Sequence, residues 1–250
     1  MNDPLRSSPD FNRLSELNRE ADEASIHFTP YSGPLNVDAF PKKVYVINLP
    51  EREDRWNQFV SSNEELFQHF EVVRFSATKG QDVRDAIFTS FLSCLKSCED
   101  SSCIIMEDDS YVVPRGIDQI RETWKLIPRD WEVVFGNHYF FSELKVLNES
   151  FAKPIGRAST ANFGIYHQRI IPKIESSTLK GNPSTKEWDH LLTGDPNICN
   201  YLYWPMISRE HPGHSDHRGK FMNINFRTRE HRYKFNFKDN ENFYDRIWKA

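Results

Sequence analysis

Four short apolar runs recur between Lys42 and Gly136: "KKVYVINLP", "EVVRFSA", "SCIIM" and "WEVVFG". Each is rich in β-branched residues and too short for a helix, so each reads as a strand buried on both faces. Between them lie segments with helical spacing. In "EREDRWNQFVSSNEELFQHF", Trp56, Phe59 and Val60 share a face, and in "DAIFTSFLSCLKSCED" so do Ile87, Phe91, Leu92 and Leu95. "GIDQIRETWKLIP" is the third such segment. Strands alternating with helices predict an α/β/α sandwich of Rossmann type around a mostly parallel central sheet.

That expectation gives meaning to one turn. "SSCIIMEDDSYVV" places Glu107, Asp108 and Asp109 directly after a buried strand. Adjacent like charges repel, and buried ones need a partner or a metal. In open α/β sheets, ligands bind beyond the carboxyl ends of the strands. Carboxylates at such an end suit Mn²⁺ or Mg²⁺, which take oxygen ligands and share them with phosphates. The bland alternative is a solvated acidic turn.

Three further groups stand out. Arg52 and Arg55 follow the first strand in "INLPEREDRW", with Asn48 at that strand's end. An arginine fork at a helix start suits phosphate, although charge pairs on a surface helix would read the same way. "HPGHSDHRG" gathers His211, His214, Asp216 and His217, either as metal ligands or as a solvated loop. In "KEWDHLL", Asp189 follows Trp188, as a general base facing a sugar or as an acid favoured by a helix dipole.

The remaining chain is less regular. "STANFGIYH" reads as a short strand, "QRIIPKIESS" as a helix with Pro172 in its first turn, and "YLYWPMISRE" as an aromatic strand. Residues 1–40 are polar and punctuated by Pro and Gly, as an N-terminal extension that packs on the core or stays apart. Residues 41–220 form the domain, and 221–250 a basic and aromatic C-terminal tail. Cys94, Cys98, Cys103 and Cys199 lack zinc-site spacing and read as buried free thiols. No apolar run approaches a membrane span and the first residues have no apolar signal core, so a cytoplasmic location is expected. The net charge of -4 argues against broad nucleic-acid binding.

Together these segments resemble glycosyltransferase family 25, which includes lipooligosaccharide and collagen galactosyltransferases. The family's "VINLDRRPDRW" is similar to "VINLPEREDRW" at Val46–Trp56, and its "LEDDA" to "IMEDDS" at Ile105–Ser110. "TANFGIYH", "WDHLL" and "GHSDHRG" follow in the family's order, so the resemblance runs from about Lys43 to Gly219. The family segment "GxxGCxxSH" is replaced by "DAIFTSFLSCLKS", which lacks the glycines and the histidine. The resemblance implies a GT-A fold and a UDP-sugar donor with Mn²⁺ or Mg²⁺. It implies transfer of a hexose, with inversion, to a hydroxyl of a glycan, a lipid-linked acceptor or a protein. Its implied roles place Glu107, Asp109 and His214 on the metal, and Asn48, Arg52, Arg55 and Asp108 near the nucleotide. Asp189 is the general base, with Asp216 as second choice. Two alternatives stay open: a non-catalytic nucleotide-sugar or glycan binder on a decayed transferase scaffold, and a sugar transferase acting on DNA. The tail "FRTREHRYKFNFK" permits the latter.

Overall fold

The computed structural model describes residues 25–36, 40–138, 140–159, 162–178, 188–211, 213–215 and 220–222. The strands are β1 (Ser25–Phe28), β2 (Lys43–Asn48), β3 (Glu71–Ser76), β4 (Ser102–Glu107), β5 (Ser110–Val112), β6 (Val133–Phe135), β7 (Phe140–Val146), β8 (Phe151–Ser159), β9 (Phe163–His167), β10 (Asn200–Tyr203), β11 (Ser208–Glu210), β12 (Gly213–Ser215) and β13 (Lys220–Met222). The helices are α1 (Glu53–Ser62), α2 (Glu64–His69), α3 (Val83–Lys96), α4 (Gly116–Thr123), α5 (Ile171–Thr178) and α6 (Trp188–Gly194).

Among the described residues, nine strands form one sheet in the order β1-β7-β8-β10-β6-β9-β4-β2-β3. Helices cover both faces. Phe91, Cys94 and Leu95 of α3, Ile174 of α5 and Leu191 and Leu192 of α6 pack with Tyr45, Ile105 and Phe135 on the first face. Phe59 of α1, Leu66 of α2 and Ile117 and Ile120 of α4 pack with Val44, Val46, Ile104 and Met106 on the second. The apolar side chains alternate between faces along β2 and β4, as an extended chain with two covered faces requires.

The expected layers are therefore present, but the sheet is mixed rather than mostly parallel. β3-β2-β4, β6-β10 and β1-β7 pair in parallel, whereas β4-β9, β9-β6, β10-β8 and β8-β7 are antiparallel. The difference lies in "FGIYH", which enters between β4 and β6 against both, and in a hairpin hidden from pattern reading. Pro154 and Gly156 stand inside β8, where proline and glycine argue against a strand. Gly156 has φ 82°, and the ladder shifts register between Phe141 and Glu143. The bulge therefore absorbs the irregularity. Asn148 closes the hairpin by accepting from the backbone N–H groups of Ser150 and Phe151, an Asx turn.

Residues assigned to an extension contribute to the fold. β1 pairs with β7 at the sheet edge, and the Asn36 N–H donates to the Ile127 carbonyl. The thiol expectation is corrected in part: Cys98, just past α3, forms a disulfide with Cys103 of β4. Cys94 remains a buried free thiol, its pKa pushed well up by burial, and Cys199 is free and half-buried.

Candidate functional site

β2 leads to β3 on one side, and the chain then returns across β2 to β4 on the other. Between the carboxyl ends of β2 and β4 the connections diverge, which is where an open α/β sheet forms a crevice. Asn48 ends β2, and Glu107 ends β4. The Asn48 amide donates to Asp108 Oδ2 at 2.6 Å, tying the two strand ends together. Its other face is also used, since Arg74 Nε donates to Asn48 Oδ1 at 2.8 Å. Arg74 also pairs with Glu53 and lies over the Trp56 ring. It thus fixes the start of α1 against β3.

From α1, Arg55 reaches across the crevice. Its Nε lies 3.0 Å from Asp108 Oδ1, and its Nη2 pairs with Asp109 Oδ2. One guanidinium fork therefore serves two carboxylates. Arg52, by contrast, pairs with Asp54 at 2.8 Å. The two arginines that the sequence grouped together thus have different partners.

A second chain segment holds the acidic turn from the other side. β5 pairs with β11, placing Ser110 opposite Glu210. The His211 N–H donates to the Asp109 carbonyl at 2.7 Å, and its Nε2 lies 2.9 Å from Ser62 Oγ. The His211 ring lies tilted against Tyr111, with centroids 4.6 Å apart and planes 32° from parallel. Asn63 secures the base of the turn, donating to the Ser110 carbonyl and accepting from the Val112 N–H.

The charge balance is negative. Burial, Asp109 and Glu210 push the Glu107 carboxyl well above the usual range. Burial raises Asp108 to about 6, although Arg55 opposes the shift. Burial pulls Arg55 down, but Asp109, Asp108 and Glu107 outweigh it and hold the guanidinium more firmly charged. Burial lowers His211, with Asp109 opposing. Asp109 Oδ1 is buried and has no hydrogen-bond partner.

Among the residues expected at a site, Asn48, Arg55, Glu107, Asp108 and Asp109 come together, while Arg52 stands beside them on its own acid. Asp189 lies on α6, a helix tied to β8 through Thr193 Oγ1 and the Ala158 carbonyl at 3.0 Å. His214 lies on β12; the side chains of both, and all of Asp216, lie outside the described part. Among the described residues, no three His, Cys, Asp or Glu side chains converge as a metal-holding group. Sequence reasoning missed Arg74 and Glu210. Both are on strands, where alternation around "EVVRFSA" and "ISRE" marked position but not partner.

No family model matches this chain. No curated protein matches it either. A solved structure, A197 from STIV, is similar at 10% identity with a TM-score of 0.42, covering 73% of this chain and 93% of that one.

Proposed function

We propose that this protein is a GT-A-like glycosyltransferase that moves a hexose from a UDP-sugar to a hydroxyl acceptor, as the resemblance to family 25 implies. The observation that carries the reading is the acidic turn Glu107–Asp109 at the carboxyl end of β4, joined to Asn48 at the end of β2 across the sheet's switch point. A nucleotide diphosphate belongs at such a crevice.

No three acids converge among the described residues, but a hard divalent cation can take one or two carboxylates from a protein and fill its shell with phosphate and water. The unpartnered Asp109 Oδ1 and the raised Glu107 carboxyl beside it support such a role. Asp109 and Glu107 would hold Mn²⁺ or Mg²⁺, with His214 as an added ligand. Such a cation supplies charge neutralisation for a departing diphosphate.

The chain's own groups have separate work. Asn48 and Asp108 fix the two strand ends relative to each other. Arg55 offsets the charge of the turn through Asp108 and Asp109, and its guanidinium would suit a phosphate bound beside them. Arg52, on the first residue before α1, adds positive charge at the same rim. Asp189 is the proposed base that takes the acceptor's proton, with Asp216 as second choice. Attack by a directly activated acceptor opposite the leaving group gives inversion.

The test is a panel of UDP-sugars screened with Mn²⁺ for thermal stabilisation, followed by transfer assays. At least one UDP-sugar is expected to raise the melting temperature in a Mn²⁺-dependent way, and Asp109→Asn to remove that dependence. A panel with no stabilising nucleotide sugar would sink the proposal.

A further inference from the structure

The acidic turn already has a cation of its own. Arg55 stands in the first turn of α1, with Nε 3.0 Å from Asp108 Oδ1 and Nη2 paired with Asp109 Oδ2. A guanidinium does not lose its proton inside a protein, and Asp109, Asp108 and Glu107 hold this one more firmly charged than usual. Its positive charge is therefore permanent. Only movement of the side chain can take that charge away from the turn.

The two aspartates meet Arg55 differently. Asp108 has one oxygen on Arg55, and its other oxygen accepts from the Asn48 amide at 2.6 Å. Both of its oxygens are in use. Asp109 has Oδ2 on Arg55, while its Oδ1 has no hydrogen-bond partner. Its side chain is also the most exposed of the three, at 25% against 16% for Arg55 and 8% for Asp108. Asp109 is thus where the turn meets solvent and where a carboxylate has capacity left. A divalent cation taken by Asp109 shares a single carboxylate with a fixed positive charge. Like charges that close repel strongly in a partly enclosed site, because little water screens them.

The acids cannot relieve this conflict by moving. Asn48 holds Asp108, Asn63 holds Ser110 and Val112, and the His211 N–H holds the Asp109 carbonyl. The adjustable member is the long Arg55 side chain. A diphosphate resolves the conflict on both sides. Its oxygens match a guanidinium fork as carboxylates do, and they also serve as ligands to a hard divalent cation.

We infer that Arg55 is the resident counter-cation of the acidic turn and sets how the site loads: a divalent cation binds weakly until a diphosphate draws Arg55 away from Asp109, so metal and nucleotide load together. In this role Arg55 is a positioning residue. The inference rests on the glycosyltransferase reading above. By linkage, the factor by which UDP tightens the metal equals the factor by which the metal tightens UDP.

Electron paramagnetic resonance of free Mn²⁺ tests it, giving metal affinity with and without UDP for wild type, Arg55→Met and Lys79→Met. Lys79 is an exposed cation past the end of β3, paired with Glu51, so its loss controls for a general change of charge. UDP is expected to tighten Mn²⁺ on wild type by about tenfold or more, a coupling of ordinary size. Arg55→Met is expected to hold Mn²⁺ alone about tenfold more tightly than wild type, to bind UDP more weakly and to show a smaller coupling. Loss of structural support alone would weaken Mn²⁺ instead. Lys79→Met is expected to stay within about twofold of wild type, since solvent screens so exposed a charge. The inference is overturned by an Arg55→Met protein that holds Mn²⁺ alone no more tightly than wild type, or that binds UDP equally well. Equal tightening in Lys79→Met overturns it too. Wild type decides alone where the Met variant does not fold: Mn²⁺ held as tightly without UDP as with it overturns the inference. In each of those cases UDP binding leaves the glycosyltransferase reading standing; wild type that binds neither Mn²⁺ nor UDP removes both.

Discussion

Arg55→Met removes the guanidinium that spans Asp108 and Asp109 while keeping a stem of similar length. Breaking a buried ion pair generally costs about 3–5 kcal/mol. The loss here is expected to be smaller, because Asp108 has a limit set by protonation. Its carboxyl stands at about 6 against an ordinary 3.8, so at about 1.4 kcal/mol per pH unit it already costs the folded wild type about 3 kcal/mol at pH 7. Protonating it outright at pH 7 would cost about 4 kcal/mol. Loss of Arg55 therefore adds only about 1–2 kcal/mol through this group. Asp109, a quarter exposed in its side chain, adds little after solvent screening.

Proton uptake gives the variant a signature. Without Arg55, which holds it down, the Asp108 carboxyl rises further above its wild-type value of about 6 and stays far above the unfolded 3.8, so it binds more protons in the native state across this range. Stability then falls as pH rises, approaching the limit of about 1.4 kcal/mol per unit between pH 6 and 7. In wild type the same carboxyl has mostly ionised by pH 7, so the slope is shallower. Urea denaturation in EDTA at pH 6 and 7 measures both quantities. A loss above about 3 kcal/mol that does not change with pH would refute the protonation limit. No loss at all would show that Arg55 does not hold the turn.

Two further outcomes are expected. Burial lowers His138 to about 4, so its stability contribution is complete above the unfolded value of 6.5 and is lost as pH falls toward 4, about 3 kcal/mol in all; His138→Gln is expected to flatten this acid limb in urea midpoints compared at pH 7 and 4.5. Cys98→Ser is expected to cost about 2 kcal/mol, the entropy of closing so short a loop, and dithiothreitol is expected to lower the wild-type denaturation midpoint while leaving the variant's unchanged.

Much of the crevice was legible in the sequence because its parts are local. β2, β3, β4 and β6 are continuous apolar runs, and the acids follow one of them directly. Partners across the sheet were not legible. Arg52 and Arg55 read alike in "PEREDRW", yet only Arg55, one helical turn in, turns toward β4. Asn137 carried no signal in "FGNH"; its buried, unpartnered amide lies next to Asn162 only through a strand inserted against its neighbours. The β7-β8 hairpin escaped because Pro154 and Gly156 are tolerated only through a bulge, which depends on the paired strand.

The strap formed by β11 and His211 also sets when the site exists. Glu107–Asp109 leaves the ribosome long before Ser208–His211, and the His211 contact with Ser62 joins residues 149 positions apart. Contacts this distant form late, after the loop-closure entropy has been met. During synthesis the acidic turn is therefore an open, unstrapped loop, and the completed site appears only when residues 208–211 have docked. A shortened chain ending before Ser208 would keep all three acids and lack the assembled site.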